Sequence, residues 1–388
     1  MNYHEYISRF AGIQSGENHQ ISTDSGFLNL KWMSFKSQAF LNENCPISSD
    51  VMSVLQPNAS DTQISENFSF KYPVIIPSQC SDERRVVVML HGLNERSWNK
   101  YWSWAAFLAE SLKCPILMFP ISFHMNRAPG FWSDARTISG LMKTNDTSQN
   151  KAESTTFVNY ILSQRLADNP LRFLKSGFQS TLDLIQLINM LKGKQIEDLG
   201  QIDRIDFFAY SIGAFLSQIF LIYNHIIGTG INKTAIFCGG APFAKMNGIS
   251  KLIMNKPAFN TIYNYYLEDT ITEIKSGSPL GKFLTRHPMG QAFNAMINFD
   301  RAPSLVRSAF DTAKDKILVM TLKKDSVIPS SPTALLFKKT RGTVMEHDFP
   351  YPYMHENPFP TFSDDVRSEQ VNTSFNTIFN TASNFLCC

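Results

Sequence analysis

The stretch Phe207-Phe208-Ala209-Tyr210-Ser211-Ile212-Gly213-Ala214-Phe215 decides the reading of this chain. An apolar run, strand-like from Ile205 to Tyr210, meets a serine, and an apolar helical pattern follows from Ala214 to Ile227. Small residues, Ala209 and Gly213, stand two positions either side of Ser211. That is the layout of a nucleophile elbow, where a sharp strand-to-helix turn holds a serine in a strained conformation with its Oγ above the sheet. Only small flanking side chains clear the neighbouring strand and helix. The usual pattern is G-x-S-x-G, and Ala209 replaces its first glycine by the next smallest residue.

Outward from this stretch an α/β rhythm is legible. Val86–Leu90 is a continuous apolar run rich in β-branched residues, as suits a strand buried on both faces. Further strands are expected at Phe68–Pro77, Pro115–Phe119, Thr234–Cys238, Ile317–Leu322 and Thr343–Phe349, and helices at Trp102–Leu112, Phe178–Leu191 and Ser374–Phe385. Strands alternating with helices predict a mostly parallel central sheet with helices on both faces. Two connections, Ser122 to Phe178 and Phe243 to Ala313, are longer than a crossover needs. Both leave the carboxyl ends of strands, the edge where ligands bind in open α/β sheets. The second reads as a helical cap, about 243–313, inserted before the strand that carries the candidate acid. Residues 1–65, rich in Ser, Asn and Gln, read as an irregular N-terminal extension to a domain at 66–388.

A nucleophilic serine needs a base, an acid to orient the base, and N–H donors for the oxyanion. In an elbow-bearing sheet the acid follows the serine and the histidine comes last. Asp325 sits just past the strand Ile317–Leu322 and leads into Val327-Ile328-Pro329, where it would orient a histidine or simply cap a turn. Only His347 and His355 follow it. His347 falls inside the last predicted strand, whereas His355 lies in the loop beyond. Loops at that edge carry chemistry and strand interiors mostly carry packing, so His355 is the expected base. For the oxyanion, the strand Val86–Leu90 ends in His91-Gly92, which points to the backbone N–H groups of Leu93 and Ile212. Asn94, Glu95, Trp98, Asn126, Arg127 and Tyr210, with Trp132, are candidates to line a substrate pocket. Arg127 would clamp a carboxylate or phosphate, or else form an internal salt bridge.

Taken together, His91-Gly92, Ala209-x-Ser211-x-Gly213, Asp325 and His355 resemble the α/β-hydrolase superfamily, from about Phe68 to the end of the chain. His91-Gly92-Leu93-Asn94-Glu95, Phe123-His124-Met125-Asn126-Arg127 and Tyr210-Ser211-Ile212-Gly213 look like a bacterial branch of it known only as a domain of unknown function. The resemblance implies a fold and a Ser-Asp-His triad, and supplies no substrate. Hydrolysis of a carboxylic ester or thioester through an acyl-enzyme is the expectation. An acyltransferase or peptidase on the same triad, or a non-catalytic binding protein, are the alternatives.

Composition bounds the rest. The 388 residues are 43% hydrophobic and 18% charged, an ordinary globular balance. A net charge of +3 gives no argument for nucleic acid. The 31 phenylalanines suit either a large apolar core or an apolar pocket. No Cys-x-x-Cys or Cys/His spacing suggests a metal, and no cofactor motif is present. Cys114 and Cys238 read as buried free thiols, and Cys387-Cys388 resembles a prenylation tail without its polybasic stretch. No segment reaches the roughly 18 apolar residues of a membrane span, and Met1–Phe10 lacks a signal-peptide core. The expected setting is cytoplasmic, with a small-molecule acyl substrate as partner.

Overall fold

A computed structural model describes residues 2–13, 16–40, 49–80, 84–144, 154–339 and 342–387. Nine strands form one sheet: β1 (His19–Thr23), β2 (Gly26–Lys36), β3 (Ser69–Pro77), β4 (Arg85–Leu90), β5 (Ile116–Met118), β6 (Arg204–Tyr210), β7 (Thr234–Phe237), β8 (Ile317–Leu322) and β9 (Thr343–His347). Their order is β1-β2-β3-β5-β4-β6-β7-β8-β9. From β5 to β9 every neighbouring pair is parallel. The three N-terminal strands add on in antiparallel fashion. This is the α/β-hydrolase architecture, with a helical region inserted between β7 and β8.

The central strands are buried along their whole length because both faces are covered. All six residues of β4 are buried. Val86, Val88 and Leu90 point into one core, with the helices Leu171–Lys192 and Ile212–Ile226 and the inserted helices. Val87 and Met89 point into the other, with Tyr3–Arg9, Asn99–Leu112 and Asp365–Cys387. The two-residue period of a strand makes this split obligatory. The phenylalanines are spent largely on these cores: Trp104, fully buried, is ringed by Phe208, Phe237, Phe359 and Phe379.

Among the described residues of 1–65, where the sequence suggests an irregular extension, regular elements are present. β1 and β2 form a hairpin, and β2 pairs with β3 from Leu28↔Pro77 to Lys36↔Ser69. The helix Tyr3–Arg9 is closed by an Asn2/Glu5 capping box, and Tyr3 Oη donates to the carbonyl of Phe359 at 2.8 Å. The strand β2 alternates buried and exposed residues, so Asn29, Lys31 and Ser34 interrupt the apolar run that marks a two-sided strand.

The order of the sheet fixes where a site can form. β4 lies between β5 on one side and β6 on the other, so successive crossovers leave it in opposite directions. The crevice between the carboxyl ends of β4 and β6 is therefore the topological switch point. The turn after β6 closes tightly on β4. A Cβ placed on Gly213 would lie 2.7 Å from the backbone carbon and oxygen of Leu90, so only glycine lets the helix start there. Gly213→Ala is expected to lower stability by about 1–3 kcal/mol, the usual range for overpacking. The shift of the urea-unfolding midpoint measures it.

Candidate active site

Ser211 occupies φ 56° and ψ −118°, a left-handed backbone for a non-glycine residue. Its N–H reaches the carbonyl of Phe237 at 3.3 Å, and its carbonyl accepts from Phe215 at 3.1 Å. These bonds lift the side chain to the crevice. Ser211 Oγ lies 2.7 Å from His355 Nε2, and His355 Nδ1 lies 2.7 Å from Asp325 Oδ2. A carboxylate only accepts, so Nδ1 carries the proton and Nε2 offers its lone pair to the serine hydroxyl. The other oxygen of Asp325 accepts from the amides of Val327 and Ile328, at 2.9 and 2.8 Å. The acid is thus pinned by its own turn while it orients the base. All three residues are buried.

The loop carrying His355 is tied down on several sides. Tyr210 Oη donates to the His355 carbonyl, and its ring stacks on the imidazole with centroids 5.6 Å apart. Burial pushes the Tyr210 phenol well up, so it stays a donor. Lys100 Nζ donates to the carbonyl of Glu356 at 3.0 Å and pairs with Glu95. Ser250, in the β7–β8 insertion, donates to the Glu356 carboxylate. Lys100, Ser250 and Glu356 carry no motif, and only the folded chain brings them to the base.

Cys238, read from sequence as a core thiol, lies against the same groups. Its Sγ, an Asp325 oxygen and a His355 nitrogen fall within 4.8 Å of one another. Burial, reinforced by the charge of Asp325, pushes the thiol well up, so it remains protonated. The Asp325 and His355 atoms are committed to each other, which makes this the edge of the triad rather than a metal centre. His347 stays on the edge strand β9, outside this network.

Leu93 and Ile212 border one small apolar cavity of about 40 Å³, with His124, Phe173, Phe215 and Phe293. Gly213 N–H bonds the His91 carbonyl at 3.0 Å, tying the loop after β4 to the elbow. Ile212 opens a helix, so its N–H has no partner within that helix. His91 is structural: Nδ1 donates to Gly92 O, and Nε2 accepts from Ile121 N at 2.9 Å.

The predicted pocket residues separate. Asn94 and Glu95 border a second cavity of about 50 Å³, together with Trp132. Asn94 also ties the two long connections together, donating to the carbonyls of Val158 and Leu252 at 3.1 and 2.7 Å. Trp98 is buried edge-on against His91, Tyr210 lies behind the base, and Asn126 bonds the carbonyl of Lys71. Arg127 is not a substrate clamp. It is fully buried, 2.7 Å from Asp183, bonded to the carbonyls of Asn67 and Pro120, and stacked over Phe70. Its acid partner lies on the helix Leu171–Lys192, beyond the reach of any local pattern. Wider surface grooves, of about 670 and 830 Å³, include none of the triad residues.

The fold and this constellation define the class: an α/β-hydrolase-fold protein with a serine-hydrolase type of Ser211–His355–Asp325 network. The chain belongs to the Family of unknown function (DUF6051), whose model matches residues 1–387. No curated protein matches it. Among solved structures it is similar to carboxyl esterase 2 of Tuber melanosporum, at 11% identity and TM-score 0.45, over 82% of this chain and 81% of that one. It is also similar to a thermostable esterase from Pseudomonas putida, at 10% identity and TM-score 0.40, over 99% and 86%. A third is a cold-adapted esterase from an Arctic intertidal metagenomic library, at 9% identity and TM-score 0.39, over 95% and 99%.

Two outcomes follow from the buried charges. Arg127→Met strands the Asp183 carboxylate in the core, with an expected loss of about 3–5 kcal/mol. Arg127→Met combined with Asp183→Leu should recover much of it, as read by chemical denaturation. Burial also pulls His124 down from 6.5 to about 4 and His91 well below its ordinary value. The unfolded chain then binds more protons than the folded one between about pH 6.5 and 4. Stability should therefore fall on acidification through that window. Urea midpoints at stepped pH, with a shallower slope in His124→Gln, measure it.

Proposed function

We propose that this chain is a serine hydrolase that cleaves a carboxylic ester or thioester. The observation that carries the reading is the unbroken relay from Ser211 Oγ through His355 to Asp325, with both bonds at 2.7 Å. Ser211 Oγ attacks the acyl carbonyl as its proton passes to His355 Nε2. The amides of Leu93 and Ile212 hold the oxyanion. His355 returns the proton to the departing alcohol or thiol, leaving the acyl group on Ser211. Water, deprotonated by the same nitrogen, then releases the acid. Asp325 keeps Nδ1 protonated and stabilises the imidazolium.

In this reading residues 243–313 cap the site, and residues 1–65 extend the hydrolase body at 66–388 by widening its sheet. No helix among the described residues is long and apolar enough to cross a membrane. The free thiols Cys238 and Cys387 suit a reducing, cytoplasmic setting.

A fluorophosphonate probe is expected to label the protein at Ser211, and Ser211→Ala to abolish labelling. On short-chain esters and thioesters, Ser211→Ala and His355→Gln should lower kcat by about 10³-fold or more, and Asp325→Asn by a similar order. Absence of both labelling and turnover in the wild type would sink the proposal.

A further inference from the structure

The cavity of about 50 Å³ bordered by Leu93 and Asn94 has an unusual lining. It shares Leu93, His124, Phe173 and Ser176 with the apolar cavity that touches Ile212. The two adjoin across these side chains as two lobes of a chamber whose inner end touches Ile212, the residue after Ser211; no triad residue lines either lobe. The inner lobe is walled mainly by apolar side chains, and the outer one brings Arg96, Arg165 and Arg172 together with Glu95 among apolar side chains.

Two of these cations are accounted for. Arg165 and Arg172 share the Asp61 carboxylate at 2.9 and 3.0 Å, and Arg172 also holds Asp168 at 2.5 Å. Arg96 is different. Its guanidinium donates to the Trp132 carbonyl and, at 3.0 Å, to Asn94 Oδ1, both neutral acceptors. It meets no carboxylate among the described residues, although burial opposes its charge and pulls it down to about 10. Glu95, the acid that lines the same cavity, is paired with Lys100, so of the three guanidiniums only that of Arg96 has no carboxylate partner among the described residues. A partly buried cation with only neutral partners is an unbalanced arrangement, because desolvation weakens the charge and nothing opposite restores it.

His124 gives an independent sign that the chamber faces a ligand. The side chain is buried at 7% exposure and borders both lobes. Its Nδ1 lies 2.9 Å from the carbonyl of Ser122, so that nitrogen donates. Its Nε2 is then a bare acceptor, with no protein partner among the described residues. A lone pair stranded at that depth calls for an O–H or N–H from whatever fills the space. The outer lobe is roomy enough for several waters or for one small polar group.

We propose that the substrate carries an anionic group of carboxylate type, which enters this chamber and pairs with Arg96 while the scissile carbonyl sits at Ser211. The apolar lobe takes the few carbons between them. Asn94 presents the guanidinium through its Oδ1, and the planar fork matches a carboxylate. Arg96 is thereby a specificity residue. The proposal deepens the hydrolase reading and depends on it for the position of the carbonyl.

The test compares anionic and neutral esters within each protein, so a general loss of activity cancels. For the acyl side, 4-nitrophenyl hemiglutarate is set against 4-nitrophenyl butyrate. For the leaving-group side, 4-acetoxybenzoate is set against its methyl ester. Wild type is expected to favour the anionic member of at least one pair by tenfold or more in kcat/KM. Arg96→Gln should erase that ratio, and Arg96→Lys should keep part of it. No preference in either pair, or one that survives Arg96→Gln, overturns the proposal while leaving the hydrolase reading intact. If no ester is turned over and Ser211 does not label, the hydrolase reading fails by itself. The chamber is then decided by calorimetry with glutarate on Ser211→Ala protein. Binding weakened tenfold or more by adding Arg96→Gln supports it, and absence of binding overturns it.

Discussion

The backbone of Ser211 is the constraint on which the rest depends. A positive φ at a serine costs about 1–3 kcal/mol and persists only where its surroundings over-determine it. Here they do. Phe237 on β7 accepts its N–H, the His91 carbonyl after β4 holds the next turn through Gly213, and the missing Cβ of Gly213 lets the helix abut Leu90. Phe237 and Leu90 belong to strands buried along their whole length, and His91 directly follows one of them. The parallel sheet is therefore a jig that places one hydroxyl above its own edge, and the strain ensures that the hydroxyl stays there.

The base is held by a different device. His355 stands 144 residues from Ser211 in a loop with no regular structure. Its position is assembled from side chains on three other segments: Tyr210 beside the nucleophile, Lys100 from the first helix after β4, and Ser250 from the β7–β8 insertion. Tyr210 is central to this, since strand β6 delivers the nucleophile and, one residue earlier, the group that fixes the base. Movement of the Ser250 segment would act on Glu356 directly and on His355 through one peptide bond. The β7–β8 insertion and the His355 loop are mechanically joined through that bond.

Burial decides how much of this was legible in the sequence. Strands β4 and β6 to β8 read clearly, because a strand covered on both faces must be continuously apolar. The hairpin of β1 and β2 is not legible, since a strand that meets solvent on one side interleaves Asn, Lys and Ser with its apolar residues. Asp325 and His355 could be picked out by chain order and by the difference between loop and strand, and the structure brings both to Ser211. Tyr210 reads from sequence as a candidate pocket residue, whereas its hydroxyl is bonded to the His355 carbonyl. Cys238 looked like any core thiol, because its nearness to Asp325 comes from packing between adjacent strand ends. Nothing local distinguishes these cases.

The two arginines sharpen that point into a criterion. Arg127 and Arg96 both follow core strands at the same sheet edge, and the sequence singles out only Arg127 as a candidate clamp. Folding reverses the order. Arg127 is met by Asp183 and by two carbonyls, so its charge is spent inside the protein and its loss would expose a buried carboxylate to an apolar core. Arg96 is met by a carbonyl and an amide oxygen, which fix its orientation but leave its charge unanswered. A buried cation with an acid partner contributes to the fold. One that is oriented but not neutralised, beside a histidine whose lone pair also lacks a partner, is arranged for something that arrives from outside. The same reasoning assigns the histidines. His91, satisfied at both nitrogens, holds the loop, while His124, satisfied at one, faces the chamber.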